Sequence, residues 1–334
     1  VGSYPQPEWL IDRDALRKRL PPRVRARELW RIDPRWLVEA QNDAVILTIR
    51  DQERAGLDIV SDGEMRRESY SNHFANAIEG VDLDNAGTTQ DRSGSPTPVP
   101  RVTGPIRRKT PVHVADLEFL RANTDRRVKM TVPGPFTMSQ QAQNDFYTHE
   151  PEVAFAYADA VREEVIDLFA AGADIVQLDE PWMEARPEQA RRYGVETLQR
   201  ALDGIEGTTS LHICFGYPAF VPDHPPAYDF LAELALAPVD QISIETAQSN
   251  VDLSVLAELS DKTIILGVIA LDTADVESPQ TVTERISRAL PYKDPTQLVA
   301  APDCGMKYLP RDACFDKLQA LVAGVRALDS QART

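Results

Sequence analysis

Along most of the chain, short β-rich apolar runs alternate with polar turns and longer amphipathic stretches. The apolar runs at 58–61, 128–132, 174–178, 210–214, 241–244, 263–269 and 298–301 are expected to be strands. The opening Val1-Gly-Ser-Tyr4 would be an eighth. Helical periodicity fills 36–54, 151–171, 187–205, 228–236, 278–290 and 310–328, and several of these stretches begin with Pro, which the first helical turn tolerates. Strands that are nearly continuous in apolar residues and alternate with helices point to a parallel sheet buried on both faces. A doubly wound open sheet shares that pattern, but eight strands favour an α/β fold closed as a single (β/α)8 TIM barrel spanning 1–334. Residues 83–112, rich in Pro, Gly, Thr, Ser and Asp, break the rhythm as a loop insertion after the second strand. Such excursions on a compact domain are surface hairpins or lids.

Composition narrows the function classes. Hydrophobic residues make up 43% and charged residues 26% of the chain, as in ordinary globular proteins. No apolar run has the length of a membrane span, and the polar, turn-rich opening lacks the basic-then-apolar pattern of a leader. A cytoplasmic location is expected. The chain does not open with Met, so a few residues are expected to precede it. A formal net charge of −16 repels phosphate backbones and acidic lipid surfaces. Neither nucleic acid nor membrane is expected as a partner; a homo-oligomer is compatible with the sequence. Cys214, Cys304 and Cys314 are too few and too scattered for a disulfide framework, which directs attention to metal binding or catalysis.

In a barrel of this kind, chemistry collects at the carboxyl ends of the strands. Those ends carry Ser3; Asp62, Gly63 and Glu64; Gly134 and Pro135; Asp179 and Glu180; His212 and Cys214; Glu245; Asp272; and Asp303 and Cys304. His212 and Cys214 are two apart on one expected strand and so share a face. With Glu245 and Cys304 arriving from neighbouring strands, they make a four-ligand set of zinc type, since thiolates and imidazole favour a borderline-soft ion over magnesium or calcium. A buried histidine beside a small apolar cysteine accounts for His212 and Cys214 equally well on pattern alone. Cys314, on the last helix, reads as buried packing. His73, His113, His149 and His224 have no partner pattern and read as surface or loop residues. Arg66, Arg67 and Tyr70, and likewise Lys307 and Arg311, either reach an anionic group at the mouth or cap nearby elements.

The phrases Val1-Gly-Ser-Tyr-Pro5, Asp62-Gly-Glu64, Gln177-Leu-Asp-Glu-Pro181, His212-Ile-Cys214, Ile244-Glu-Thr246 and Pro302-Asp-Cys-Gly-Met-Lys307 occur in this order. Together they resemble the catalytic half of cobalamin-independent methionine synthase, and the resemblance covers nearly the whole chain. It implies a Zn2+ ion held by His212, Cys214, Glu245 and Cys304. It also implies that Gly2, Ser3, Glu64 and Asp179 hold the amino-acid end of homocysteine. The departures are informative. The family's additional amino-terminal barrel is not expected within these 334 residues. The family's folate-stacking tryptophan falls on Gln141, and a folate-contacting carboxylate falls on Ala185, beside Glu184. The proton-donating histidine falls on Asp272, a candidate proton donor. Trp182 offers an aromatic face near these positions but reads as core.

These residues imply zinc-dependent methyl transfer to a thiol, homocysteine giving methionine, with the donor either a corrinoid (free or protein-bound) or a methyltetrahydrofolate. A second reading keeps the zinc-thiolate chemistry and changes both partners. Relatives in the superfamily open epoxides with a small thiol such as coenzyme M, and Asp272 would then protonate the alkoxide. Against this, Glu64 and Asp179 present negative charge where a sulfonate would have to bind. A structural or storage zinc site is a third reading, disfavoured by the carboxylates gathered around it. Decarboxylases of related barrels need no metal, and the full ligand set counts against that activity.

Overall fold

The computed structural model describes residues 2–17, 22–91, 94–217, 221, 227–249 and 251–332. Its centre is a seven-stranded parallel sheet of β1 (Ile59–Val60), β4 (Arg127–Pro133), β6 (Ile175–Asp179), β7 (Thr208–His212), β8 (Gln241–Glu245), β9 (Thr263–Ile269) and β10 (Leu298–Pro302), in that spatial order. Each of the seven expected runs from 58 onward is therefore a strand. The reason is visible in the burial: from Val128 to Pro133 and from Ile264 to Ile269 every residue is buried, so side chains on both faces leave water.

The eighth expected strand is not formed as one. Val1 lies outside the described residues, and Gly2 to Tyr4 are extended without a ladder. The Tyr4 amide donates to the Gly63 carbonyl (3.0 Å), just past β1, and the Met306 amide donates to the Ser3 carbonyl (2.8 Å), just past β10. One backbone–backbone hydrogen bond to each side places this segment between the first and last strands of a curled sheet. Pro5, which has no amide proton, stops the pairing from continuing.

Helices cover the sheet. The helix Leu37–Ala55 buries Gln41, Ala44, Val45, Thr48, Ile49, Gln52 and Ala55, a stripe at helical spacing, and ends at Gly56 with φ of 94°. The helix Glu150–Ala170 carries Pro151 in its first turn, and Glu152 Oε2 accepts from the His149 amide (3.0 Å) in a capping box. The long helix Arg311–Ala332 follows the last strand. Two expected helices differ. The stretch 187–205 is helical from Pro187 to Leu202 but carries a π segment, Ala190–Gly194, between the α-helical pieces Pro187–Gln189 and Val195–Leu202. The stretch 228–236 retains only the 3-10 turn Ala232–Leu236. Among the described residues no helix is long and apolar enough to cross a membrane.

The insertion is a hairpin that begins before residue 83. Antiparallel strands β2 (Ile78–Gln90) and β3 (Pro96–Arg108), with β5 (Gln143–Asn144) added parallel to β3, form a separate three-stranded sheet. Its register shifts between Asp82 and Gly87, so the arms twist. Arg108 anchors the base: it lies against Glu164 (2.6 Å) and Asp167 on the helix Glu150–Ala170.

Candidate metal centre and substrate pocket

Parallel pairing in register sets the first layer of the site. Asp179 is the register partner of His212, and His212 that of Ser243, so the three side chains stand at one level on one face of the sheet. His212 Nδ1 meets Ser243 Oγ at 3.0 Å. Assigned the tautomer that donates Nδ1–H to Ser243, the ring keeps its lone pair on Nε2, which is buried with no hydrogen-bond partner.

β7 ends at His212, so Cys214 lies just beyond it; the Ile213 amide still donates to the Ser243 carbonyl (3.1 Å) and carries the strand's direction forward. A ring nitrogen of His212 and the sulfurs of Cys214 and Cys304 all lie within 4.8 Å of one another, and all three residues are buried. Glu245 closes β8, is 1% exposed, and accepts from the Phe215 amide through Oε1 (3.2 Å). It stands outside that trio, yet its charge reaches both His212 and Cys304. Three expected ligands thus converge, and the fourth is an electrostatic neighbour.

The hydrogen bond from Cys214, burial, and the charges of Cys214 and Glu245 push the Cys304 thiol well up. Burial pulls His212 down, but the adjacent Cys214 and the charges of Asp179 and Glu245 outweigh it, so its pKa is raised. Mutual pressure of this sign is what a dication relieves. An imidazole nitrogen without a partner, two adjacent sulfurs and a carboxylate form a donor set that fits zinc.

The remaining expected site residues gather beside the trio. Glu64 is 3% exposed and is the one described non-glycine residue with positive φ, 57°, following Gly63 at 65°. Left-handed backbone costs a glutamate roughly 1–3 kcal/mol, so the surrounding contacts hold it. Oε1 accepts from Thr131 Oγ1 at 3.3 Å. Burial raises the Glu64 pKa, Arg67 and Lys307 counter it, and Asp179 adds to the rise, which puts the two carboxylates in reach of each other's charge. Asp179 is raised by burial too, opposed by His212, by the hydrogen bond from Gln177 (2.7 Å) and by Lys129. Gly2 lies so close that a Cβ there would stand 2.8 Å from Glu64 Oε1 and 2.7 Å from Thr131 Cγ2. Ser3 Oγ is 3.4 Å from the hydroxyl of Tyr217, whose ring packs edge-on to Tyr308. Asp272 is exposed beyond Leu271 and does not join this group.

Several residues serve the pocket in ways the sequence did not announce. Asp303 is fully buried and accepts from the amides of Thr246 (3.1 Å), Ala247 (3.0 Å) and Gln248 (2.9 Å), fixing the loop after Glu245. Glu180 does the same after β4, accepting from Phe136 (2.9 Å) and Thr137 (2.7 Å). Several amides on one carboxylate at a strand end are the available signal, and they require the fold to be known. A Cβ on Gly134 would stand 2.1 Å from Glu180 Cδ. Gly134→Ala is therefore expected to lower the urea midpoint, by about 1–3 kcal/mol of overpacking, and an unchanged midpoint would show that this loop yields.

Of the ambiguous basic residues, Arg67 is 0% exposed and donates to the Thr131 carbonyl (2.9 Å), beside Asp62 (3.5 Å). Arg66 pairs with Asp116 (3.1 Å), and Arg311 with Asp51 (2.8 Å), away from the mouth. Buried Lys307 donates to the Arg67 carbonyl (2.8 Å). Gln141 donates to the Tyr70 hydroxyl (2.6 Å), and Trp182 is buried under Arg186. Cys314 is buried as expected. His149 is exposed, His224 lies outside the described residues, and His113, expected at the surface, is 0% exposed because the hairpin base and the segment after Glu64 close over it.

A family model described as "Cobalamin-independent synthase, Catalytic domain" matches residues 1–326. A methionine synthase of Sulfolobus acidocaldarius is 30% identical over 325 residues, 97% of this chain and 89% of that protein. One from Saccharolobus solfataricus is 31% identical, covering 98% and 93%. The structure of a B12-independent methionine synthase from Shewanella sp. W3-18-1 in complex with selenomethionine superposes with a TM-score of 0.90 at 30% identity, covering 99% of this chain and 97% of that one.

Proposed function

Because the chain belongs to the catalytic-domain family of cobalamin-independent synthases, we propose that it transfers a methyl group to the thiol of homocysteine, giving methionine, and that it depends on zinc. The observation that carries this reading is the convergence of His212, Cys214 and Cys304 within 4.8 Å beside two buried carboxylates, Glu64 and Asp179. The selenomethionine held by the Shewanella protein is a selenium analogue of the proposed product. The relatives named above are called methionine synthases.

His212, Cys214, Cys304 and Glu245 would hold the ion. When bound, zinc supplies the positive charge that keeps a substrate thiol ionised at neutral pH, where a free thiol with pKa about 8.5 is mostly protonated. The chain's own groups do the rest. Glu64 and Asp179 face the substrate ammonium, whose charge offsets the burial that raises both carboxyls. The backbone of Gly2 and the hydroxyl of Ser3 line the same end, and the absence of a side chain at Gly2 leaves room for Glu64. Ser243 orients His212, and Asp303 holds the loop behind Glu245. Arg67 and Lys307 carry compensating positive charge beneath Glu64. Alignment of the sulfur with the methyl carbon, in a pocket closed to water, then supplies the rate. Asp272, exposed at the mouth, is the proposed proton donor to the departing methyl carrier. The architecture that brings these groups together is proposed to be one (β/α)8 barrel, with Gly2 to Tyr4 as its eighth stave.

The family's description as cobalamin-independent gives a corrinoid donor no support. At the position of the family's stacking tryptophan, Gln141 is engaged with Tyr70 and presents no ring. The deciding assay supplies homocysteine with methylcobalamin, with monoglutamyl and with polyglutamyl methyltetrahydrofolate, and measures methionine. Methionine from one donor identifies it. No methionine from any of them, together with thioether formed from an epoxide and a small thiol, would replace this reading by the epoxide-opening one.

A further inference from the structure

Three more donor side chains converge apart from the His212, Cys214 and Cys304 trio, near Asp62 and Arg67. His73 lies on the short helix Asn72–Ala75, His113 caps the helix Val114–Ala122 immediately after the hairpin, and Asp116 is in that helix's first turn. A ring nitrogen of each histidine and a carboxylate oxygen of Asp116 lie within 4.8 Å of one another. His113 is 0% exposed, and neither of its ring nitrogens has a hydrogen-bond partner. A neutral imidazole holds one donor and one acceptor, and leaving such a group buried and unused is destabilising. Oδ1 of Asp116 meets Arg66 Nε at 3.1 Å, while Oδ2 is buried without a partner. The two imidazole rings lie stacked, with centroids 5.2 Å apart, and the unsatisfied His113 nitrogens beside a half-satisfied carboxylate call for a ligand that rotation of the rings would admit.

We propose that His73, His113 and Asp116 bind a second divalent metal ion, of the zinc type. Two imidazoles and one carboxylate select zinc or a neighbouring first-row ion over magnesium or calcium, which take oxygen ligands. Burial and the charge of Arg67 hold both imidazoles neutral, His73 at about 4 and His113 well below its ordinary value, so no proton competes for the lone pairs. Donors bound at about 2.0–2.1 Å to a tetrahedral ion stand about 3.4 Å apart, a contraction that side-chain rotation supplies. Arg66 and Arg67 bring positive charge nearby; Asp62 offsets Arg67 (3.5 Å), and the Arg66 contact fixes the Asp116 carboxylate as hydrogen-bonded ligating carboxylates are fixed. An ion here ties the helix after the hairpin to the segment that follows Glu64, so its role is structural.

The two sites differ in sulfur, which makes them separable. In the cobalt-substituted full chain, sulfur-to-cobalt charge-transfer absorption reports only a site with cysteines, whereas ligand-field bands report both. Wild type is expected to hold about two metal equivalents and His113→Asn about one, the charge-transfer band persisting in the variant. His73→Gln, at a half-buried position, is expected to behave as His113→Asn does and decides the matter if that variant does not fold. Cys304→Ser is expected to lose the charge-transfer band and keep the second ion. One equivalent in wild type, or a second that both histidine variants retain, would overturn the site. A histidine variant that lost the charge-transfer band would overturn it as well. Failure of the methyl-transfer reading would leave these counts unaffected.

Discussion

Cys304→Ser is expected to lose the zinc of the sulfur-containing site and to lower methyl transfer by well over 100-fold. The basis is the company this sulfur keeps. Cys304 lies against Cys214 and within 4.8 Å of a His212 ring nitrogen, and no other described sulfur belongs to that cluster. A serine hydroxyl does not ionise under a metal as a thiol does, so one strong ligand is lost along with its negative charge. Ser243→Ala sets the scale. It removes only the hydrogen bond that orients His212, a change that typically costs about 10–100-fold in metal affinity or activity. Zinc content by elemental analysis and methionine formation are measured on both variants, with circular dichroism to confirm folding. Equal zinc in wild type and Cys304→Ser would remove Cys304 from the ligand set. Equal turnover with depleted zinc would end the proposal of zinc-dependent transfer.

The chemistry of this pocket is more legible in the sequence than its support. His212, Cys214 and Cys304 are residue types with few reasons to sit together at strand ends, and strands such as Ile175–Asp179 are recognisable because both faces are buried. The rest depends on long-range geometry. Gly2 to Tyr4 make two backbone–backbone hydrogen bonds to the segments just past the flanking strands, too few for alternation to develop, so nothing in their pattern separates a strand from an extended bridge. The hairpin reads as an insertion starting at 83 because Gly80 and Asp82 resemble a loop. Four prolines, Pro96, Pro98, Pro100 and Pro105, disguise an arm whose partners lie mainly on one side. The sequence leaves Arg67 undecided between the mouth and a helix end, and places His113 at the surface. Both are fully buried, by elements roughly fifty to seventy residues apart in the chain, as the Arg67–Thr131 hydrogen bond shows.

Asp179→Asn is expected to raise the KM for homocysteine by about 30- to 1,000-fold while zinc content stays at the wild-type level. Asp179 is the register partner of His212, so it stands next to the metal centre without offering it an atom of the converging trio. Its pKa is raised mainly by burial, and a carboxylate so placed gains from an incoming ammonium that takes the place of water. Asparagine keeps the shape and loses the charge. The loss corresponds to a buried charged pair reduced to one charge, about 2–4 kcal/mol, or the fold-change above at roughly 1.4 kcal/mol per decade. A change in kcat larger than that in KM would mean that Asp179 acts on the transferring methyl group rather than on the amino-acid end. Collapse of the zinc content would place Asp179 in the metal centre and leave Glu64 alone to receive the ammonium. The same variant assayed with a thiol that lacks an amino group supplies the control: its kinetics should match those of wild type, because the group that Asp179 recognises is missing from that substrate.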